Sequence, residues 1–112
     1  MKLNHINLTV TDVLAAADFL EKYFGLQRQG GDQKFQLLFD DGGMVITLMK
    51  TGRDVKYPAT FHIGFGQESE DQVNAVYQRL IDDGFEVEPP QRSHAWTFYV
   101  LAPGGFTVEV LC

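Results

Sequence analysis

Cysteine, cationic side chains and long apolar runs are all scarce in this 112-residue chain, and each shortage excludes something. The only cysteine, Cys112, has no intrachain partner, so neither a disulfide framework nor a cysteine-cage zinc site is available. Nine Lys+Arg face fifteen Asp+Glu, a net charge of −6. Such a surface repels phosphate backbones and anionic lipid, which argues against nucleic-acid and membrane partners. No apolar run approaches the roughly 18–20 residues that span a bilayer. The opening stretch MKLNHINLTV alternates polar and apolar residues, unlike the continuous apolar core of a signal peptide, so a cytoplasmic protein is the expectation. What remains is the balance of an ordinary globule, 45% hydrophobic and 21% charged, with length for one compact domain over residues 1–112.

That domain is internally repeated. Leu3 to Val10 alternates with period two, as a half-buried strand does. Thr11-Asp12 then caps a helical stripe of Val13, Ala16, Ala17, Leu20 and Phe24, which Gly25 closes. Strand-like runs follow at Phe35–Phe39 and Met44–Met49, separated by the turn Asp40-Asp41-Gly42-Gly43. The second half runs in the same order. Thr60–Phe65 reads as a strand, Ser69 and Gln72 as a capping box, and Val73, Val76, Tyr77, Leu80 and Ile81 as a helical stripe ending at Gly84. Strands are expected at Phe85–Val87, Thr97–Leu101 and Phe106–Leu111. FQLLFDDGGMVITLM and TFYVLAPGGFTVEVL align turn for turn. The expected architecture is α+β: two tandem βαβββ modules, residues 1–50 and 60–112, joined by a linker at 51–59. A module of about 50 residues is too small to close a core alone. Two copies are therefore expected to form a curved mixed sheet around a central cleft.

Strand parity assigns side chains to that cleft. With Ile6, Leu8 and Val10 facing the helix, His5, Asn7 and Thr9 face away from it. In the second copy, Phe61, Ile63 and Phe65 face the helix and His62 faces away. Along the last strand Phe106, Val108 and Val110 pack inward, leaving Thr107, Glu109 and Leu111 on the cleft side. His5 and His62 hold the same position in the two copies, and Thr47 corresponds to Glu109. Two imidazoles and one carboxylate form the facial-triad ligand set, suited to a divalent transition metal with open positions for substrate. A lone strand histidine is more often structural, and two can descend from one ancestral residue. A carboxylate in a valine-rich strand is costly without a partner, however, and duplication does not account for it.

The paired modules, with LNHINLTV, FHIGFG and PGGFTVEVL, resemble the vicinal oxygen chelate superfamily, which includes glyoxalase I, extradiol dioxygenases, fosfomycin-resistance thiol transferases and bleomycin-binding proteins. The resemblance spans essentially the whole chain. It implies metal ligands at His5, His62 and Glu109, and one divalent metal (Mn, Fe, Ni, Co or Zn) per site. Thr47 departs from the four-ligand glyoxalase I pattern and is left as a substrate contact. Tyr99 falls where the fosfomycin enzymes place a substrate-contacting tyrosine. Asn7 stands where they have a catalytic threonine and is read as a polar contact beside the metal, while Pro89-Pro90 replaces an expected lysine. Trp96 and Phe98 are assigned to the pocket wall, with plain strand packing as the alternative. His94, in the preceding loop, is assigned as a substrate contact or acid–base group, with a solvated loop histidine as the alternative. The implied activity is metal-dependent electrophilic catalysis on a small oxygenated substrate, by a lyase, isomerase, thiol transferase or dioxygenase. The rival is a metal-free, drug-sequestering binding protein. Short relatives pair as homodimers, which would allow module-swapped sites.

Overall fold

The computed structural model describes residues 1–112, with ten elements in chain order. These are β1 (His5–Val10), α1 (Val13–Phe24), β2 (Gln27–Gly31), β3 (Phe35–Phe39), β4 (Val45–Lys50), β5 (Ile63–Gly66), α2 (Glu70–Asp82), β6 (Gln91–Arg92), β7 (Trp96–Leu101) and β8 (Thr107–Leu111). The α+β class and the two βαβββ repeats are those expected. The strands form two four-stranded mixed sheets, one per repeat, ordered β1-β4-β3-β2 and β5-β8-β7-β6. In each, the first strand runs parallel to the last, and the remaining pairs are antiparallel.

The first compact unit comprises Met1–Tyr57 together with Ala102–Gly105. Its helix begins where the Asp12 side chain accepts from the Ala15 N–H at 3.0 Å, satisfying an otherwise orphaned donor. It ends at Gly25, whose φ of 68° belongs to the left-handed region. Val13, Ala16, Ala17 and Leu20 are buried, joined by Phe19 and Tyr23. They pack over a sheet face carrying Leu8, Val10, Leu38, Ile46 and Leu48. The edge strand β2 was not anticipated. Its sequence, QRQGG, has no apolar alternation because it lies largely exposed, and backbone pairing with β3 alone defines it. Tyr57 anchors the expected linker: its hydroxyl accepts from the Thr9 N–H at 2.9 Å and donates to the Thr9 carbonyl at 2.8 Å. The β7–β8 turn, Ala102–Gly105, also belongs to this unit, with the Thr11 N–H donating to the Gly104 carbonyl at 3.1 Å.

The second unit comprises Pro58–Leu101 and Phe106–Cys112. Ser69 caps α2 by accepting from the Gln72 N–H at 3.2 Å, and the Gln72 side chain reaches back to the Glu68 N–H at 2.8 Å. The capping box therefore forms one residue further out than the usual reciprocal pair. Val73, Val76 and Leu80 of α2 are buried, as are Phe98, Val100, Val108 and Val110 of the strands it packs on. Phe85–Val87, expected as a strand, lies outside regular structure. The Phe85 N–H is taken by the Leu80 carbonyl at 3.0 Å as the chain leaves the helix. Pairing resumes only beyond Pro89-Pro90, which have no N–H to donate, at Gln91–Arg92.

Two adjacent glycines separate steric from backbone effects. Gly104 and Gly105 have φ of 98° and 99°, but a Cβ on Gly104 would lie 3.0 Å from the Val10 Cβ. A Cβ on Gly105 would meet only the Val55 carbonyl oxygen at 3.9 Å. Gly105→Ala is expected to destabilise by about 1 kcal/mol through its backbone conformation. Gly104→Ala should cost a further 1–3 kcal/mol or so from crowding. Urea unfolding of the two variants checks this, and equal losses would show that the contact with Val10 is soft.

Candidate functional site

The second unit holds a buried carboxylate on the sheet face turned away from its helix. Val108 and Val110 pack toward α2, so alternation turns Glu109 the other way. In the β7–β8 pair Tyr99 lies directly opposite Glu109, and Thr97 opposite Leu111, so Thr97, Tyr99 and Glu109 share that face. Glu109 is nevertheless only 4% exposed. The Thr97 hydroxyl donates to Oε2 at 2.6 Å, and His94 Nε2 donates to the same oxygen at 2.7 Å. The loop before β7 presents that imidazole: the Ser93 N–H bonds the Ala95 carbonyl at 3.0 Å, and the Ser93 hydroxyl lies 3.0 Å from His94 Nδ1. Burial pulls the Glu109 carboxyl upward. The hydrogen bonds from Thr97, His94 and Tyr99, with the His94 charge, outweigh it and hold the group below its ordinary 4.5. Tyr99 moves the other way, raised by burial and by its hydrogen bond and proximity to the Glu109 carboxylate, so its hydroxyl keeps its proton.

His62 lies on the other side of the carboxylate. Its Nδ1 is 3.0 Å from the Thr60 carbonyl, which can only accept, so Nδ1 carries a proton. In the neutral ring Nε2 is then a bare lone pair, and it faces Glu109 Oε1 at 3.3 Å. Two acceptors at that distance repel unless a cation or a proton lies between them. Ligand atoms bound to one ion at about 2.0–2.2 Å, with bonds at about 90–110°, are themselves about 3–3.5 Å apart. The pair therefore has the spacing of two neighbouring metal ligands. The Tyr99 ring stands edge-on to His62, with centroids 5.4 Å apart. Tyr99 also borders two cavities. One, of about 400 Å³, is lined by His62, Thr60, Phe61 and Thr107; the other, of about 420 Å³, by Glu86, Glu88, Gln91, Ser93, Thr97 and Phe98.

The first unit repeats the same lattice without the charge. Asn7 pairs with Thr47 as Gly64 pairs with Glu109, so Thr47 holds the Glu109 position, as the repeat predicts. The Thr47 hydroxyl donates to the Asn7 side-chain carbonyl at 2.7 Å, a neutral pair that satisfies itself. His5 and Asn7 are exposed beside the buried Leu8, in agreement with strand parity. His5 Nδ1 bonds the Asn4 side-chain oxygen at 2.7 Å, which leaves its Nε2 unprotonated in the neutral ring. No group of three or more His, Cys, Asp or Glu within the chain is placed to hold a metal ion.

Among the expected site residues, His62, His94, Tyr99 and Glu109 come together in the second unit. Asn7 and Thr47 pair in the first, which also carries His5. Trp96 lines neither cavity, whereas Phe98 is among the residues lining the larger one, as expected of a pocket wall. Parity turns both toward α2, where Phe98 packs on Tyr77 with ring centroids 5.7 Å apart. The Trp96 indole N–H donates to Asn74 at 2.8 Å, and the Arg92 guanidinium lies over its ring. His94 is an exposed loop histidine, yet the turn through Ser93 and Ala95 carries its Nε2 onto Glu109. Thr97 was not singled out from the sequence. Its signal is the alternation Thr97, Tyr99, Leu101, which shares Glu109's face once the β7–β8 register is known.

The model of the glyoxalase/bleomycin resistance protein/dioxygenase superfamily matches residues 2–110. A possible glyoxalase from Bacillus cereus is 57% identical in sequence, with a TM-score of 0.96 over 100% of this chain and 99% of that one. Lactoylglutathione lyase from Agrobacterium tumefaciens shares the fold at 19% identity and a TM-score of 0.77, over 98% of this chain and 92% of that one. The fosfomycin resistance protein FosX from Listeria monocytogenes, in a variant holding Mn(II) and 1S,2S-dihydroxypropylphosphonic acid, does so at 22% and 0.81, over 98% and 88%. No curated protein matches the chain. No helix is long and apolar enough to cross a membrane.

Because the folded state holds Glu109 below 4.5, the carboxylate contributes stability that is fully present above that pH. The contribution is lost as pH falls through the lower, folded-state value. In chelator-treated protein, the difference in unfolding free energy between the unmodified chain and Glu109→Gln should therefore shrink with acidification below 4.5. Urea unfolding between neutral pH and pH 3 measures it. A difference that stays constant throughout would mean that the carboxylate is not held ionised.

Proposed function

Since the chain belongs to the glyoxalase/bleomycin resistance protein/dioxygenase superfamily, we propose that it is a divalent-metal-dependent enzyme acting on a small oxygenated substrate. His62 Nε2 and Glu109 Oε1 are two of the ligands. The observation that carries this reading is their approach to 3.3 Å as two facing acceptors, with Nδ1 of the imidazole already committed to a carbonyl. The third ligand is His5 of the partner subunit in a module-swapped homodimer. In support, one chain by itself offers no group of three such side chains, and His5 shares the tautomer of His62. Mn(II) in FosX supports the choice of a hard divalent ion, and the 57% identical possible glyoxalase supports chemistry at neighbouring substrate oxygens. His-His-Glu also accepts Fe, Ni, Co or Zn.

The bound ion supplies Lewis-acid stabilisation of charge developing on substrate oxygens. The protein supplies the rest. Tyr99, still protonated and beside both cavities, can turn its hydroxyl from Glu109 to a substrate oxygen, and its ring packs edge-on against His62. Glu86 and Glu88, with no lysine or arginine, line the larger neighbouring cavity. A phosphonate dianion would be repelled there, so a neutral oxygenated substrate such as a dicarbonyl or catechol suits the site better than fosfomycin does.

Calorimetric titration of untagged protein with Mn(II) is expected to give one site per chain. His62→Ala, Glu109→Ala and His5→Ala should each weaken binding 100-fold or more, since each removes one of three protein ligands. Mixed and refolded, the His5→Ala and Glu109→Ala chains should regain one intact site per heterodimer. An unmodified protein that takes up no divalent metal would overturn the reading, and the His62–Glu109 contact would then be an imidazolium–carboxylate ion pair.

A further inference from the structure

The geometry points to His94 and Thr97 as positioning residues that restrict Glu109 to single-oxygen coordination. This rests on the metal-site reading above and goes beyond it, because it assigns a role to two side chains that touch neither metal nor substrate.

The two oxygens of Glu109 have different surroundings. Oε2 accepts from the Thr97 hydroxyl at 2.6 Å and from His94 Nε2 at 2.7 Å. A carboxylate oxygen has two in-plane lone pairs, so this one is filled by protein donors. Oε1 instead faces His62 Nε2, the nitrogen left with a lone pair. A carboxylate free to rotate can bind an ion through one oxygen or both. Here rotation toward two-oxygen binding would break two charge-assisted hydrogen bonds in a buried setting. Outer hydrogen bonds of this kind orient ligating groups, and their loss typically lowers metal affinity by about 10- to 100-fold.

The two donors are themselves fixed. Thr97 sits in β7, and its 5% exposure leaves the hydroxyl little choice beyond Glu109 Oε2 and the Val110 carbonyl at 3.1 Å. His94 donates from Nε2 because the carboxylate oxygen it meets can only accept, and its Nδ1 lies 3.0 Å from the Ser93 hydroxyl, which holds the ring in place whether that nitrogen donates or accepts. Its side chain is 56% exposed, so truncation removes a hydrogen bond without opening the core. The first unit has no counterpart, since its Thr47 position carries no carboxylate to orient.

The test uses the full chain with Mn(II) as probe. Affinity is read by calorimetry, and ligand symmetry by the zero-field splitting in the Mn(II) electron paramagnetic resonance spectrum. His94→Ala and Thr97→Val should each weaken Mn(II) binding by about 10- to 100-fold and alter the spectrum as Oε2 becomes available to the ion. His94→Gln and Thr97→Ser, which keep a donor near the same place, should retain the affinity and spectrum of the unmodified protein. A purely structural role would not separate alanine from glutamine spectroscopically. If His94→Ala and Thr97→Val bind Mn(II) as tightly as the unmodified chain and with an identical spectrum, the positioning role is wrong and the metal site stands. If the unmodified chain takes up no Mn(II), both fall together.

Discussion

Burying an ionised carboxylate costs several kcal/mol unless the fold supplies donors to replace water. Glu109 meets that constraint with Thr97 and His94 on one oxygen, the Tyr99 hydroxyl as a third donor, and a half-exposed imidazole facing the other oxygen. The rest of the site is arranged around this requirement. Strand β7 must lie in the register that puts Thr97 and Tyr99 on Glu109's face, and the turn before it must bring His94 back over the sheet. The approach to His62 is left as two acceptors facing one another, and that contact is the one in the unit that a cation would relieve.

Duplication explains why the same lattice occurs twice, but not why only one copy carries the charge. In both repeats the first strand pairs in parallel with the last, and the strand positions correspond residue for residue. Where the second unit has Gly64 beside Glu109, the first has Asn7 beside Thr47, a neutral pair closed by one 2.7 Å hydrogen bond. The first copy solved its polar contact locally. The second did not, and its unsolved contact is what makes it a candidate for chemistry.

The aromatic residues around Tyr99 divide between the two faces of their strand. Trp96 and Phe98 read as pocket walls because they cluster beside Tyr99. Alternation puts them on the opposite face, where α2 offers Tyr77 and Asn74 as partners. Alternation along β7 separates Tyr99 from these two neighbours, although Phe98 still borders the larger cavity beside Tyr99. The strand expected at Phe85–Val87 failed for another reason. Its alternation is real, but two prolines and the exit from the helix deny that segment a partner to pair with.

Hydrophobic period, caps and Gly-Gly turns are properties of short stretches of chain, so the sequence by itself determined the α+β class, the two βαβββ repeats and the strand faces of His5 and Glu109, whereas His62 precedes β5, which begins at Ile63 and not at Thr60. Tertiary structure decided who meets Glu109. A loop such as Ser93–Ala95 has no periodicity from which to read the direction of an imidazole, and Thr97 becomes a partner only through its register against β8. Alternation tells which way a side chain points along its own strand, while hydrogen-bond partners depend on where a different part of the chain has come to rest.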